Sequence, residues 1–130
     1  LPRPEAASTA TLVDLVDDGG RVAGPEEVDF AVAVLTTRVR ATNPRSSYLA
    51  GRHVGDGFAP GERAVLSRAL DSGIAEYGPD SVGVALEMLA PDALCLRTGT
   101  GDAVARVLDA AGYREVDRDS TCRYWLRQSQ

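Results

Sequence analysis

The stretch of this sequence best equipped for chemistry is Arg52-His53-Val54-Gly55-Asp56-Gly57, which stands directly before a helical pattern starting near Pro60. Glycines let a backbone come close to an anion, and the start of a helix offers unpaired N–H groups to receive it. Arg38, Arg40 and Arg45 precede this stretch, so residues 31–60 hold four arginines against the single acid Asp56. It is the one clear positive patch in the chain. Arg38, Arg40, Arg45, Arg52, His53, Gly55 and Gly57 are therefore the residues expected to receive an anionic ligand or a protein partner.

Other reactive residues read more plainly. His53 is the only histidine, with Ser46, Ser47 and Asp56 nearest in sequence. No base-orienting group is legible beside it, so a Ser-His-Asp triad cannot be built and no catalytic residue is expected. The carboxylate pairs Glu26-Glu27 and Asp17-Asp18 fit a helix start and a helix end or turn. Cys95 and Cys122 have neither the spacing nor the histidine partners of a metal site, so no metal and no cofactor is expected. They read as two small buried thiols, or as a disulfide if the protein is exported.

All 14 basic residues are arginine, which removes Schiff-base chemistry and the phosphate-loop lysine. An Ala, Val, Arg and Gly bias without lysine suggests a GC-rich, bacterial genome. The formal net charge is −5, concentrated in residues 1–30, where seven acids face Arg3 and Arg21. An acidic whole disfavours nonspecific nucleic-acid binding, which draws its affinity from phosphate neutralisation. No apolar run approaches the ~20 residues that cross a bilayer, and no basic-then-apolar leader opens the sequence. A soluble, cytoplasmic protein is the expectation, with no membrane partner. A chain beginning at Leu1 is expected to be processed, or excised from a larger cytosolic protein.

At 130 residues the expectation is one domain over 9–130, after an extended lead-in at 1–8. Residues 9–18 favour a helix, with a strand entering a hairpin as the alternative. The spacing of Val28, Val32, Leu35 and Val39 predicts a helix over 25–42, with acids in its first turn and Arg38 and Arg40 in its last. Residues 43–60 read as a long polar loop. Leu66, Leu70, Ile74 and Tyr77 predict a helix over 61–77, and 80–90 reads as a short helix or a strand. Residues 93–97 are a strand, or a short helix. A helix capped by Asp102 follows, then strands over 113–116 and 122–127 around the turn at 117–120. In a regular last strand Tyr124 and Trp125 point to opposite faces, one expected in the core and one exposed. The fold class is α+β: a helix-rich first two-thirds packed on a small C-terminal sheet ordered strand-helix-strand-strand.

Two resemblances accompany this reading. Residues 52–57 are similar to the Arg-x-x-Gly-x-Gly pyrophosphate loop of the GCN5-related N-acetyltransferases, and the helix before Gly112-Tyr113 looks like that family's late helix and strand start. That likeness implies acyl-CoA-dependent acyl transfer and a seven-stranded mixed sheet. Residues 81–127 resemble a winged-helix DNA-binding domain, with helices at 81–90, 92–98 and 102–111 and a wing carrying Arg114, Arg118, Arg123 and Arg127. The residues themselves support a non-catalytic binding or regulatory domain for an anionic ligand or a protein partner, with acyl transfer and DNA binding as the alternatives.

Overall fold

The computed structural model describes residues 4–42 and 60–128. They form five helices and five strands: α1 (Pro4–Asp14), β1 (Arg21–Ala23), α2 (Glu26–Leu35), β2 (Arg40–Ala41), α3 (Pro60–Ser72), α4 (Pro79–Leu89), β3 (Ala93–Arg97), α5 (Ala103–Ala110), β4 (Tyr113–Arg118) and β5 (Cys122–Arg127). The class is α+β, with a single mixed sheet in the order β2-β1-β3-β5-β4. β2, β1 and β3 run parallel, and β3, β5 and β4 are antiparallel.

The sheet is buried on both faces. Leu94, Leu96 and Trp125 pack with Leu66 and Leu70 of α3, Val82 and Leu86 of α4, and Leu108 of α5. Ala93, Cys95, Cys122 and Tyr124 pack on the other side with Leu12 of α1 and Val28 and Val32 of α2. Successive side chains along a strand alternate between faces, so β3 supplies both layers in turn and reads as the continuous apolar run Ala93-Leu94-Cys95-Leu96. The two layers also correct the expectation for Tyr124 and Trp125. They do point to opposite faces, but both are buried, at 0% and 5% exposure.

Cys95 and Cys122 are joined by a disulfide, with their Cα atoms 5.4 Å apart and 27 residues between them in sequence. Cys95 stands opposite Tyr124 and Cys122 opposite Arg97, so the bridge runs diagonally between neighbouring strands on one face. The reading as separate buried thiols is thereby corrected: they are buried, and bonded. Nearby, the Asp119 carboxylate closes the β4–β5 turn, accepting from the Tyr124 hydroxyl at 2.6 Å and from the Thr121 and Cys122 N–H groups at 2.8 Å. Burial pushes that carboxyl up, but those three bonds outweigh it and hold it below the ordinary aspartate value.

Several boundaries differ from the sequence expectation. The lead-in is helical from Pro4, and 9–14 continue that helix. α2 ends at Leu35, where Thr36 turns extended at φ −147°, because Val39 is drawn inward just before β2 and Ala41 within it, beside β1. The helical spacing of Val28, Val32 and Val39 was thus two periods in sequence, a helix followed by a strand. α3 ends at Ser72, leaving Ile74 and Tyr77 exposed beyond it. Gly73 stops it at φ +69°; a Cβ there would lie 2.5 Å from the Thr100 carbonyl oxygen, a distance that requires glycine.

Among the described residues both sheet edges are blunt. β2 has only two residues, with Arg40 exposed. β4 carries Arg114, Glu115, Asp117 and Arg118, and its pairing slips between Glu115 and Asp117. Among the described residues no helix is long and apolar enough to cross a membrane.

Candidate functional site

The arginine patch does not assemble as expected in its described part. Arg38 is held within the fold: Nη1 donates to the Val16 carbonyl and to Asp18 at 3.0 Å each, and Nη2 donates to the Val13 carbonyl. It thus satisfies carbonyls at the end of α1, a helix with no basic residue in its own last turn. Neither Arg38 nor Arg40 lies in the last turn of α2, which ends before both. Arg40 is exposed on β2. Arg45, Arg52, His53, Gly55 and Gly57 lie outside the described residues, as does the whole stretch resembling a pyrophosphate loop. Five strands are described, against the seven that the acyltransferase resemblance implies. The winged-helix arrangement needs a helix over 92–98, and that segment is the central strand β3.

The end of the sheet where β1 and β3 release their chains in different directions is the usual place for a ligand in parallel sheets. Here it is bridged by the protein itself. Arg97, at the end of β3, donates to Asp71 of α3 at 2.7 Å and to Glu27 of α2 at 2.9 Å, tying the two helix layers together. Asp29, also on α2, is fully buried. Burial holds the Arg63 guanidinium of α3 below its ordinary value, against the attraction of Asp29.

An open groove lies instead between α4 and α5, with a volume of about 950 Å3. The helices flank β3, which separates them in sequence, and both end beside Tyr113 and Arg127. Val84 and Val107 supply apolar walls, Ala103, Ala110 and Ala111 keep the side chains short, and Asp80, Glu87 and Arg106 stand at the rim. Val84 is 50% exposed and Met88, one turn on, 55%. Val82, Ala85, Leu86 and Leu89 face the core, so α4 carries a second apolar pair that its own fold leaves uncovered.

Two features of α4 are locally unfavourable, and both line this groove. Gly83 sits inside the helix where a Cβ would meet nothing within 4 Å. No packing constraint asks for glycine there, and a helix-interior glycine costs about 0.5–1 kcal/mol relative to alanine. Ala90 ends the helix in the left-handed region at φ 44°, ψ 53°, where glycine or asparagine is the usual residue. It is the only non-glycine with positive φ among the described residues. Outliers of this kind collect at functional sites. Gly83→Ala is expected to raise stability by about 0.5–1 kcal/mol, measured by thermal unfolding.

The closed end of the groove is polar and fully engaged. Tyr113, 3% exposed, donates its hydroxyl to the Pro91 carbonyl at 2.6 Å. Arg127 bonds Asp92 and reaches the Ala90 carbonyl, and Asp92 accepts the Arg21 N–H at 2.9 Å. Burial pushes the Tyr113 phenol up to about 12; Arg127 draws it down and Asp92 pushes it further up. A phenol raised in the folded state stabilises it below the unfolded value, about 10, and loses that contribution as pH climbs through the folded one. Stability is therefore expected to fall between pH 10 and about 12. Alkaline unfolding should show this decline in the native chain and a shallower one in Tyr113→Phe.

The groove's one hydroxyl, on Tyr113, is committed to a backbone carbonyl, and its carboxylates stand two helical turns apart at Asp80 and Glu87. Among the described residues no group of three or more His, Cys, Asp or Glu could hold a metal ion. Sequence reasoning passed over this surface, although two signals were present: a glycine interrupting a short helix, and Val84 and Met88 out of phase with the core positions. Comparison with known proteins finds no matching family model, no matching curated protein and no matching solved structure.

Proposed function

We propose that this chain is a non-catalytic binding domain that receives a protein partner in the groove between α4 and α5. The observation that carries the reading is the coincidence, on one 11-residue helix, of an uncovered Val84, an unforced Gly83 and a left-handed Ala90, all facing the same cleft. Helix-lined apolar grooves with charged rims bind amphipathic segments through a few apolar anchors. A glycine in the wall lets such a segment approach the helix backbone, which offsets its cost in the free protein. The alternative ligand, an anion held by the arginines at 38–52, has less support, since Arg38 is occupied by carbonyls and Asp18. For location, the Cys95–Cys122 bond favours folding in an oxidising compartment over the cytoplasm that composition suggests.

The test compares immobilised wild type with Val84→Glu. A protein retained by the first, then identified, purified and titrated, is expected to bind Val84→Glu at least about thirtyfold more weakly, as for loss of an interface anchor. Arg45→Glu/Arg52→Glu should bind it as wild type does. Equal affinity for Val84→Glu, or loss in the arginine variant alone, overturns the groove in favour of the arginine segment.

A further inference from the structure

The disulfide is out of reach in the closed fold. Cys95 and Cys122 are both 0% exposed, and thiol–disulfide exchange needs a thiolate to arrive at one of the sulfurs. The layer above them is made by two helices of unequal grip. α2 buries Val28, Val32 and Ala33 and packs on β1 and β2, beside the bonded strands. The helix that packs on β3, the strand of Cys95, is α1. Over residues 7–14 its buried positions are Ser8, Thr9 and Leu12, two hydroxyl side chains and one large apolar one. Burial stabilises in proportion to the apolar area taken from water, so α1 is the more weakly seated of the two.

A second hold on α1 comes from Arg38, just before β2. Its guanidinium donates to the Val13 and Val16 carbonyls and to Asp18, and its own carbonyl accepts the Gly19 N–H at 2.7 Å. One residue thus ties the end of α1, and the turn after it, to the edge of the sheet. Elements that combine little apolar burial with a few localised bonds open before the rest of a fold.

We propose that α1 is a cover over the Cys95–Cys122 bond with Arg38 as its latch, so that the bond is reduced through the opening of this helix while the sheet stays folded. A dithiol supplies the two electrons. One of its thiolates attacks a protein sulfur, forming a mixed disulfide and releasing the other cysteine as a thiolate. The dithiol's second thiolate then attacks its own first sulfur, closes a cyclic disulfide and releases the second cysteine. The two protons of the dithiol end on the two cysteine thiols. The backbone pairing of β3 with β5 takes no part in the exchange. The cross-link therefore answers to reducing surroundings without passage through the unfolded chain.

Excess dithiothreitol acting on the intact, oxidised chain tests the proposal, with freed thiols alkylated by iodoacetamide at intervals and counted by mass. In wild type the reduction rate is expected to change less than about twofold over the first ~1 M of urea, because opening one helix exposes little surface. Passage through the unfolded state would raise it about fivefold or more over the same range. Arg38→Met keeps an unbranched side chain without the donors. It should speed reduction about tenfold, the effect of ~1.4 kcal/mol on an opening equilibrium, and keep the shallow response to urea. A wild-type rate that climbs steeply with urea overturns the proposal, and this arm decides even if Arg38→Met does not fold. A folded Arg38→Met reduced at the wild-type rate, or faster but with the steep response, overturns it as well.

Discussion

Reducing the Cys95–Cys122 bond is expected to lower the unfolding free energy by about 3–4 kcal/mol. A cross-link spanning 27 residues removes that much loop-closure freedom from the unfolded chain in the chain-entropy account. For a chain of this size the midpoint should fall by roughly 10–15 °C. The effect has a structural reason to approach the full entropic figure. The bridged strands β3 and β5 are already paired in the antiparallel register that brings the two residues together, and both sulfurs lie in a fully buried layer. Thermal unfolding with and without a thiol reductant measures it directly, and Cys95→Ala/Cys122→Ala should reproduce the reduced midpoint. A shift under ~1 kcal/mol would mean that the bridge is a passenger in a sheet able to hold itself.

Leu96→Ala is expected to cost about 3–5 kcal/mol, the range for a leucine whose cavity cannot collapse. Leu96 is fully buried in the central strand, among Leu66, Leu70, Val104 and Leu108 from α3 and α5. Three helices lean on this layer, and a shift of one to fill the void would disturb the others. Urea unfolding should show a lower midpoint with an unchanged slope, since the surface exposed on unfolding stays the same. Val116→Ala, at the slip in β4 where the side chain is only half-buried, should change stability by well under half as much.

The C-terminal third was legible because its signals are local. Gly112 after the helix and the alternation through Cys122-Arg123-Tyr124 act within a few residues, and α5, β4 and β5 appear close to where they are expected, β4 running on to Arg118. Asp102 stands at the N-cap but gives its carboxylate to Arg123 rather than to the helix, and β3 settles a choice between strand and short helix that its residues left open. β1 and β2 were not legible. With three and two residues they exist because β3 offers a parallel neighbour, and nothing in Arg21-Val22-Ala23 announces that partner. The same non-local cause ended α2 early and moved Arg38 out of a helix and onto the carbonyls of α1. Tyr124 and Trp125 show a second limit. Alternation gives the direction of a side chain, but how many layers cover a sheet depends on elements far away in sequence. The cysteine pair shows a third, for the register that sets Arg97 against Cys122 determines the bridge, and spacing alone does not contain it. The groove was half legible: Gly83 and the Val84–Met88 pair were in view, and only the position of α5 gives them a meaning.

The blunt edges of the sheet bear on how this protein fails. A chain heated or reduced far enough to loosen its helices would normally expose strand borders that recruit one another and template fibrils. Among the described residues one border is two residues long, and the other carries both arginines and acids with a break in its ladder. Copies crowded at high concentration therefore have little to zip together through the backbone. Precipitates formed on heating should be amorphous, gathered through loosened apolar helix faces, and should bind amyloid dyes weakly.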